Sequence, residues 1–381
     1  MNNKIYLFVL LFSFLYPQWA MWANPSLPVG NSDRGVGLGA GEIMLFADFS
    51  YQYFDWWHDV VPGAYMPNTN TEEGFEHEGL FVNKSLNFGA TIGLNDYWNM
   101  TYSQIFSERC MDWEGPVDNN GNSLTVHHRT ECTTTDFIDN DRNKTIAFGG
   151  KLGDAKINFR YLLSNQGKGP GNRVFLGFGF AIPSNYTITE SPWHKILQDH
   201  DNDNSLVTPD IETYSPHRHF YLSDGTYKFS GEVQFFKKRI KYPVFWGGTF
   251  SFRTPLNTSK YGLRPSTNYE ISLMALSGPI KKMKLGNFKV SAIGLSLFLV
   301  HNTRSKWDDL GETPNSKSIQ YTPGFSILLA SKAGTFGISL QRGYEKYFNE
   351  NPSDIDEEMD IYALTISYRR LLDKVIDRLY W

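Results

Sequence analysis

Apolar and polar residues alternate with a period of two in a series of segments of about ten residues along this chain. Over Ser85–Leu94, one face carries Leu86, Phe88, Ala90, Ile92 and Leu94, and the other carries Ser85, Asn87, Gly89, Thr91 and Gly93. A period of two with one apolar face predicts a half-buried β-strand. In Glu42–Tyr53, Ile43, Leu45, Ala47, Phe49, Tyr51 and Tyr53 oppose Glu42, Met44, Phe46, Asp48, Ser50 and Gln52. The pattern recurs over Lys156–Leu163, Val174–Ile182, Tyr227–Phe236, Val244–Arg253, Tyr269–Ala275, Ile319–Leu329 and Tyr362–Arg369. Trp98–Phe106 and Thr335–Tyr344 alternate less cleanly, and Phe288–His301 is apolar on both faces, which leaves its phase open. Helical periodicity is confined to Leu371–Trp381, where Leu371, Leu372, Val375, Ile376 and Leu379 share a face.

A soluble sandwich also alternates, and two features separate it from a membrane barrel. Large aromatics such as Tyr51, Tyr53, Trp98, Trp246, Tyr269, Tyr362 and Tyr368 sit on the apolar face near strand ends, as interfacial girdles do. The links between strands also alternate in length. Asn95–Tyr97, Asn165–Asn172, Lys238–Lys241, Gly278–Asn287 and Ser331–Gly334 are short. Trp56–Val82, Ser107–Asn143, Pro183–Ser223, Pro255–Pro265, Asn302–Lys317 and Glu345–Met359 are mostly long. The sequence therefore predicts an all-β chain: a transmembrane antiparallel up-and-down β-barrel of about twelve strands, with long outer loops and short periplasmic turns. In lipid every backbone polar group must be bonded within the protein, and a closed sheet does this without leaving an edge.

The N-terminus reads as an export signal. Lys4 precedes an apolar run, Ile5–Tyr16, that is too short to span a bilayer as a helix. The expected organisation is a signal peptide over 1–23 and a periplasmic or lumen-plugging segment over 24–41. A barrel over 42–370 and a short amphipathic tail over 371–381 follow. The 36 basic and 40 acidic residues give a formal net charge of −4, with no basic excess to suggest nucleic acid. Cys110 and Cys132 would meet an oxidising compartment after export, so one disulfide is expected, two free thiols being the alternative.

The polar face would point into the lumen. It carries Glu42, Asp48, Lys156, Arg160, Lys228, Glu232, Arg253, Glu270 and Arg369, together with Phe46, Phe175 and Phe236. Opposed charges across a pore orient polar solutes and set ion preference; alternatively they pair and hold the barrel shut. In the outer loops, Asp199, Asp201, Asp203 and Asp210 have the acid spacing of a calcium loop. Asn204 takes the place of the turn glycine and no flanking helices are visible, so a solvated acidic loop is the competing reading. Calcium there is the one cofactor the sequence suggests. His127, His128, His217 and His219 lack convergent further ligands in the spacing. Neither a nucleophile elbow nor a glycine-rich phosphate loop is present, and no enzymatic activity is expected.

The segments GLGAGEIMLFADFSYQY (37–53), SLNFGATIGLNDYWNMTYSQIF (85–106) and KLGDAKINFRYLL (151–163), followed by VFLGFGFAIPS (174–184), carry a family resemblance. So do LSDGTYKFSGEVQFF (222–236) and GGTFSFRTPLN (247–257). In this order they resemble the outer-membrane channel family associated with the meta-pathway of phenol degradation, within the fatty-acid-transporter-like β-barrels. The outer loops, especially Pro183–Ser223, are long for that family. The resemblance implies passive uptake of small hydrophobic or aromatic solutes across the outer membrane of a Gram-negative bacterium. It also implies an N-terminal plug, for which Asn24–Gly41 is the candidate. The expected partners are outer-membrane lipid, the solute and the outer-membrane assembly machinery. A barrel acting through its outer loops, as adhesin, receptor or structural protein, is the alternative.

Overall fold

The computed structural model describes residues 37–58, 77–114, 151–166, 170–188, 221–278, 283–286, 288–308, 311–313, 315–348, 350 and 357–372. Among them, twelve long antiparallel strands close into a barrel, each strand pairing with its sequence neighbours and the first with the last. They are β1 (Ile43–His58), β2 (His77–Gly93), β3 (Trp98–Glu114), β4 (Ala155–Asn165), β5 (Gly171–Ile182) and β6 (Lys228–Lys238). They continue as β7 (Phe245–Pro255), β8 (Asn268–Leu276), β9 (Phe288–Asn302), β10 (Ser318–Ser331), β11 (Gly334–Tyr347) and β12 (Glu357–Leu372). The closing ladder runs without a break from Ile43 opposite Leu372 to His58 opposite Glu357. A slip of one residue would turn Asp48 towards lipid and Phe49 into the lumen, so the two-faced pattern pins the register.

Several strands outrun the alternation that announced them. The first three continue to His58, back to His77 and on to Glu114, well beyond their apolar bands. The last strand runs to Leu372, so Leu371 and Leu372 belong to the sheet and not to a helical tail; the rest of that tail lies outside the described residues. In β9, whose phase the sequence left open, Ser291 stands outside the ladder with β10 and its Oγ donates to the Leu328 carbonyl (3.0 Å). The short links sit at one end of the barrel and the long ones at the other.

The outward face is an apolar band. Leu45, Phe49, Leu86, Phe180, Val233, Phe250, Ile271 and Ile366 are exposed on it. Aromatic residues ring both edges. Near the turns, Trp98 packs on Tyr161 (5.0 Å), Trp246 on Phe235 (5.8 Å) and Tyr368 on Phe336 (4.9 Å). Near the loops, Tyr53 meets Tyr362 (6.1 Å) and Tyr321 meets Tyr344 (5.9 Å). At the level of the loop-side ring the outward face also carries ion pairs, Lys84–Glu108 (3.3 Å) and Arg342–Asp360 (2.8 Å). From Ile43 to Tyr53 the strand rises about 33 Å, which a tilt of roughly 40° reduces to about 25 Å, the height of an outer-membrane apolar belt.

Two features at the ends of the barrel shape the passage. At the turn end, the chain entering β1 lies inside the wall. Leu38 N–H donates to Asn99 Oδ1 and Asn99 Nδ2 donates back to the Leu38 carbonyl, both at 3.1 Å. Gly93 permits this approach, because a Cβ there would strike the Gly39 carbonyl oxygen. At the loop end, the links after β5, β7 and β9 share a small core of Ile188, Leu263 and Trp307, with Tyr221 packed against it. Leu263–Arg264, Lys306–Trp307 and Gly311–Glu312 form a separate three-stranded sheet there. Arg109 ties this cap to the wall, its Nη1 donating to the Tyr221 carbonyl at 2.7 Å.

Candidate functional site: the lumenal cavity

Inside the barrel lies a cavity of about 200 Å³. The inward faces of β1, β4, β6, β7, β8 and β12 bring Asp48, Lys156, Arg160, Lys228, Glu232, Arg253, Glu270 and Arg369 to it, with Phe46. These residues lie far apart in sequence, and closure of the sheet gathers them.

Three of the cations meet acids. The Arg369 guanidinium straddles the Asp48 carboxylate, Nη1 to Oδ1 at 2.7 Å and Nη2 to Oδ2 at 3.0 Å. Ser367 Oγ also donates to Asp48 (2.6 Å), and the guanidinium lies over the Phe46 ring (5.1 Å). Arg160 Nε donates to Glu232 Oε1 at 3.1 Å. That bridge crosses the inner face of β5 at Gly177, where a Cβ would collide with the Glu232 side chain. Lys228 lies between two acids, Asp224 (2.5 Å) and Asp154 (3.6 Å). The sequence reading missed both acids. Each has the same parity as the inward residues of its strand, so carrying the alternation a few residues past the strand end finds them.

The remaining predicted residues fall elsewhere. Glu42 does not line the cavity; its carboxylate accepts from the Gly39 N–H (2.7 Å) and fixes the turn that leads into β1. Phe175 and Phe236 are fully buried nearer the turn end, where Phe236 stacks on Phe245 at 5.1 Å. Gly37, on the entering chain, faces Phe175, so that a Cβ there would lie 3.7 Å from its ring. These rings therefore narrow the passage below the cavity.

As β6 and β7 do at Gln234 and Thr249, the wall formed by β1, β12 and β11 carries buried polar side chains. Ser50, Thr365, Ser339 and Gln341 are buried there, and their polar side-chain atoms have no hydrogen-bond partner in the protein. In the cap, burial pushes the Tyr186 phenol above its ordinary value, with Tyr221 acting in the same direction and Arg109 against it.

Cys110 lies on β3 opposite Val82, and Cys132 lies outside the described residues. The acidic stretch Asp199, Asp201, Asp203 and Asp210, the four loop histidines and the 1–23 segment also lie outside them.

No family model and no curated relative matches the chain. Solved structures do share its shape. An outer membrane channel from Pseudomonas putida F1 is 8% identical, with 88% of this chain and 97% of that one covered and a TM-score of 0.49. The translocator domain of the autotransporter NalP from Neisseria meningitidis is 6% identical, with 90% and 93% covered and a TM-score of 0.37. The CymD monoaromatic hydrocarbon channel is 10% identical, with 96% of both chains covered and a TM-score of 0.35. At these identities the likeness is one of barrel fold alone.

Proposed function

We propose that this protein is an outer-membrane channel that lets small hydrophobic or aromatic solutes cross passively. The observation that carries this reading is a cavity with both apolar and polar walls, enclosed in a barrel whose outer face is an apolar belt between two aromatic rings. Met44, Phe46 and Ile105 offer apolar contact to a solute, and Thr91, Thr101 and Ser103 offer hydrogen bonds beside them. A solute driven by its own gradient needs only such a lined path, with no catalytic group and no energy source. The paired charges tie strands together, Asp48 to Arg369 across the closing seam and Arg160 to Glu232 across β5, while neutralising one another, which keeps most of the lumen free of net field. The girdle aromatics set the depth of the barrel in the bilayer, and the cap covers its outer end.

Planar-bilayer recording on refolded protein tests the channel directly, folding being verified by heat-dependent gel mobility. Steady conductance is expected, at low unit size because the entering chain at Leu38 and the Phe236–Phe245 stack narrow the turn end. A folded barrel that stays silent, together with aromatic uptake unchanged in cells lacking the gene, would refute the reading. The packed cap, with Trp307 at its centre, favours one second reading, in which the outer loops bind a partner. Deleting the cap should then abolish partner binding while conductance persists.

A further inference from the structure

Lys156 stands apart from the other cavity cations. Among the described residues, Arg369 is held by Asp48, Arg160 by Glu232, and Lys228 by Asp154 and Asp224. Arg253 and Glu270 have contacts of their own. Lys156 lines the cavity and makes no hydrogen bond and no ion pair with any described residue. Nor can Asp154 or Asp224 turn to it freely. Asp154 is engaged twice, by Lys228 Nζ and by the Ser184 N–H (3.2 Å). Asp224 is engaged by Lys228, by the Thr226 N–H (3.1 Å) and by Thr226 Oγ1 (2.7 Å). Lys156 shares the cavity wall with two cations, Arg253 and Lys228, and two acids, Asp154 and Glu270. An ammonium pressed by two cations, with its acids committed elsewhere, is stabilised by an incoming anion.

The cavity states what else that anion must be. At about 200 Å³ it is smaller than the roughly 300–1,000 Å³ pockets that take drug-sized molecules, so it suits a molecule of about one ring. Met44, Phe46 and Ile105 supply apolar surface, while Ser103 and Asn158 supply hydrogen-bonding groups close to Lys156 along the sheet. A neutral hydrocarbon leaves the ammonium unused, and an inorganic anion leaves the apolar wall unused. An apolar acid uses both. Lysine suits the task, since its ammonium is a mobile point charge that can follow a passing carboxylate without clamping it.

We propose that Lys156 is the anion-recognising group of this lumen, and that the channel selects small apolar carboxylates, single-ring aromatic acids above all. This rests on the channel reading and narrows its solute class.

The test is calorimetric binding of benzoate and its neutral analogue benzamide to refolded protein in detergent at pH 7. Benzoate should bind about tenfold or more tightly than benzamide, as a charge-assisted contact requires. Lys156→Met should bring the two ligands level by weakening benzoate alone, and Lys156→Arg should retain most of the preference. Added salt should weaken benzoate and spare benzamide, a comparison that uses only the wild-type protein and survives any folding defect in the variants. Equal binding of both ligands to the wild type would overturn the carboxylate inference and leave the channel reading standing. So would equal losses of both in Lys156→Met, which would mark the lysine as structural. Binding of neither ligand would overturn the carboxylate inference as well, while the bilayer recording decides the channel reading by itself.

Discussion

Replacing Arg369 with Met tests whether the lumenal ion pairs hold the barrel closed. Arg369 and Asp48 bridge β12 and β1, the last and first strands, and both side chains are nearly buried, at 9% and 10% exposure. The substitution removes two charge-assisted hydrogen bonds of 2.7 and 3.0 Å from the Asp48 carboxylate. Ser367 Oγ at 2.6 Å and the weaker Asn87 contact at 3.5 Å remain. Breaking a buried pair from one side costs about 3–5 kcal/mol, and the surviving donors place this site near the lower end, at about 3 kcal/mol. Loss of the contact between the guanidinium and Phe46 is included in that figure. Urea unfolding in detergent, followed by gel mobility, should show the midpoint falling by about 1 M for a slope of roughly 2–3 kcal/mol/M. Asp48→Asn in the Arg369→Met background should recover about 2 kcal/mol, because the carboxylate no longer lacks its partner. If the two substitutions instead add within about 0.5 kcal/mol, the pair does not couple and the reasoning fails.

Gly177→Leu places a side chain where Glu232 crosses β5; it should separate Glu232 from Arg160, cost about 1–3 kcal/mol and alter ion selectivity in bilayer recordings. Gly93→Ala should drive the Gly39 segment off the wall, and unit conductance should rise while the barrel still shows its heat-dependent mobility; an unchanged conductance would mean the segment does not obstruct the turn end. Tyr186 holds its proton more tightly when folded than unfolded. The stability it contributes to the cap is therefore complete below the ordinary tyrosine value near 10 and disappears as pH rises through the higher folded value. Difference absorbance of phenolate between wild type and Tyr186→Phe should show one late-titrating tyrosine, and a phenol titrating at the ordinary value would contradict the buried placement.

The sequence by itself determined the barrel. Alternation places one side chain in lipid and the next in the lumen, a local property of each strand, and it needs no knowledge of partners. The same parity marked Asp48, Lys156, Glu232 and Arg369 as inward. It could not show that Glu42 would serve the entering turn, because Glu42 shares the parity but lies beyond the last rung of the sheet. It could not separate Phe175 and Phe236 from Phe46 either, since parity assigns a face and says nothing of height along the barrel axis. Pairing was likewise invisible. Asp48 and Arg369 stand at opposite ends of the barrel sequence and meet only because the first strand closes on the last. Tertiary structure alone decided which cations found acids and left Lys156 without one, because strand stagger sets the height at which each side chain enters the lumen, and ion pairs form only between groups that share a height.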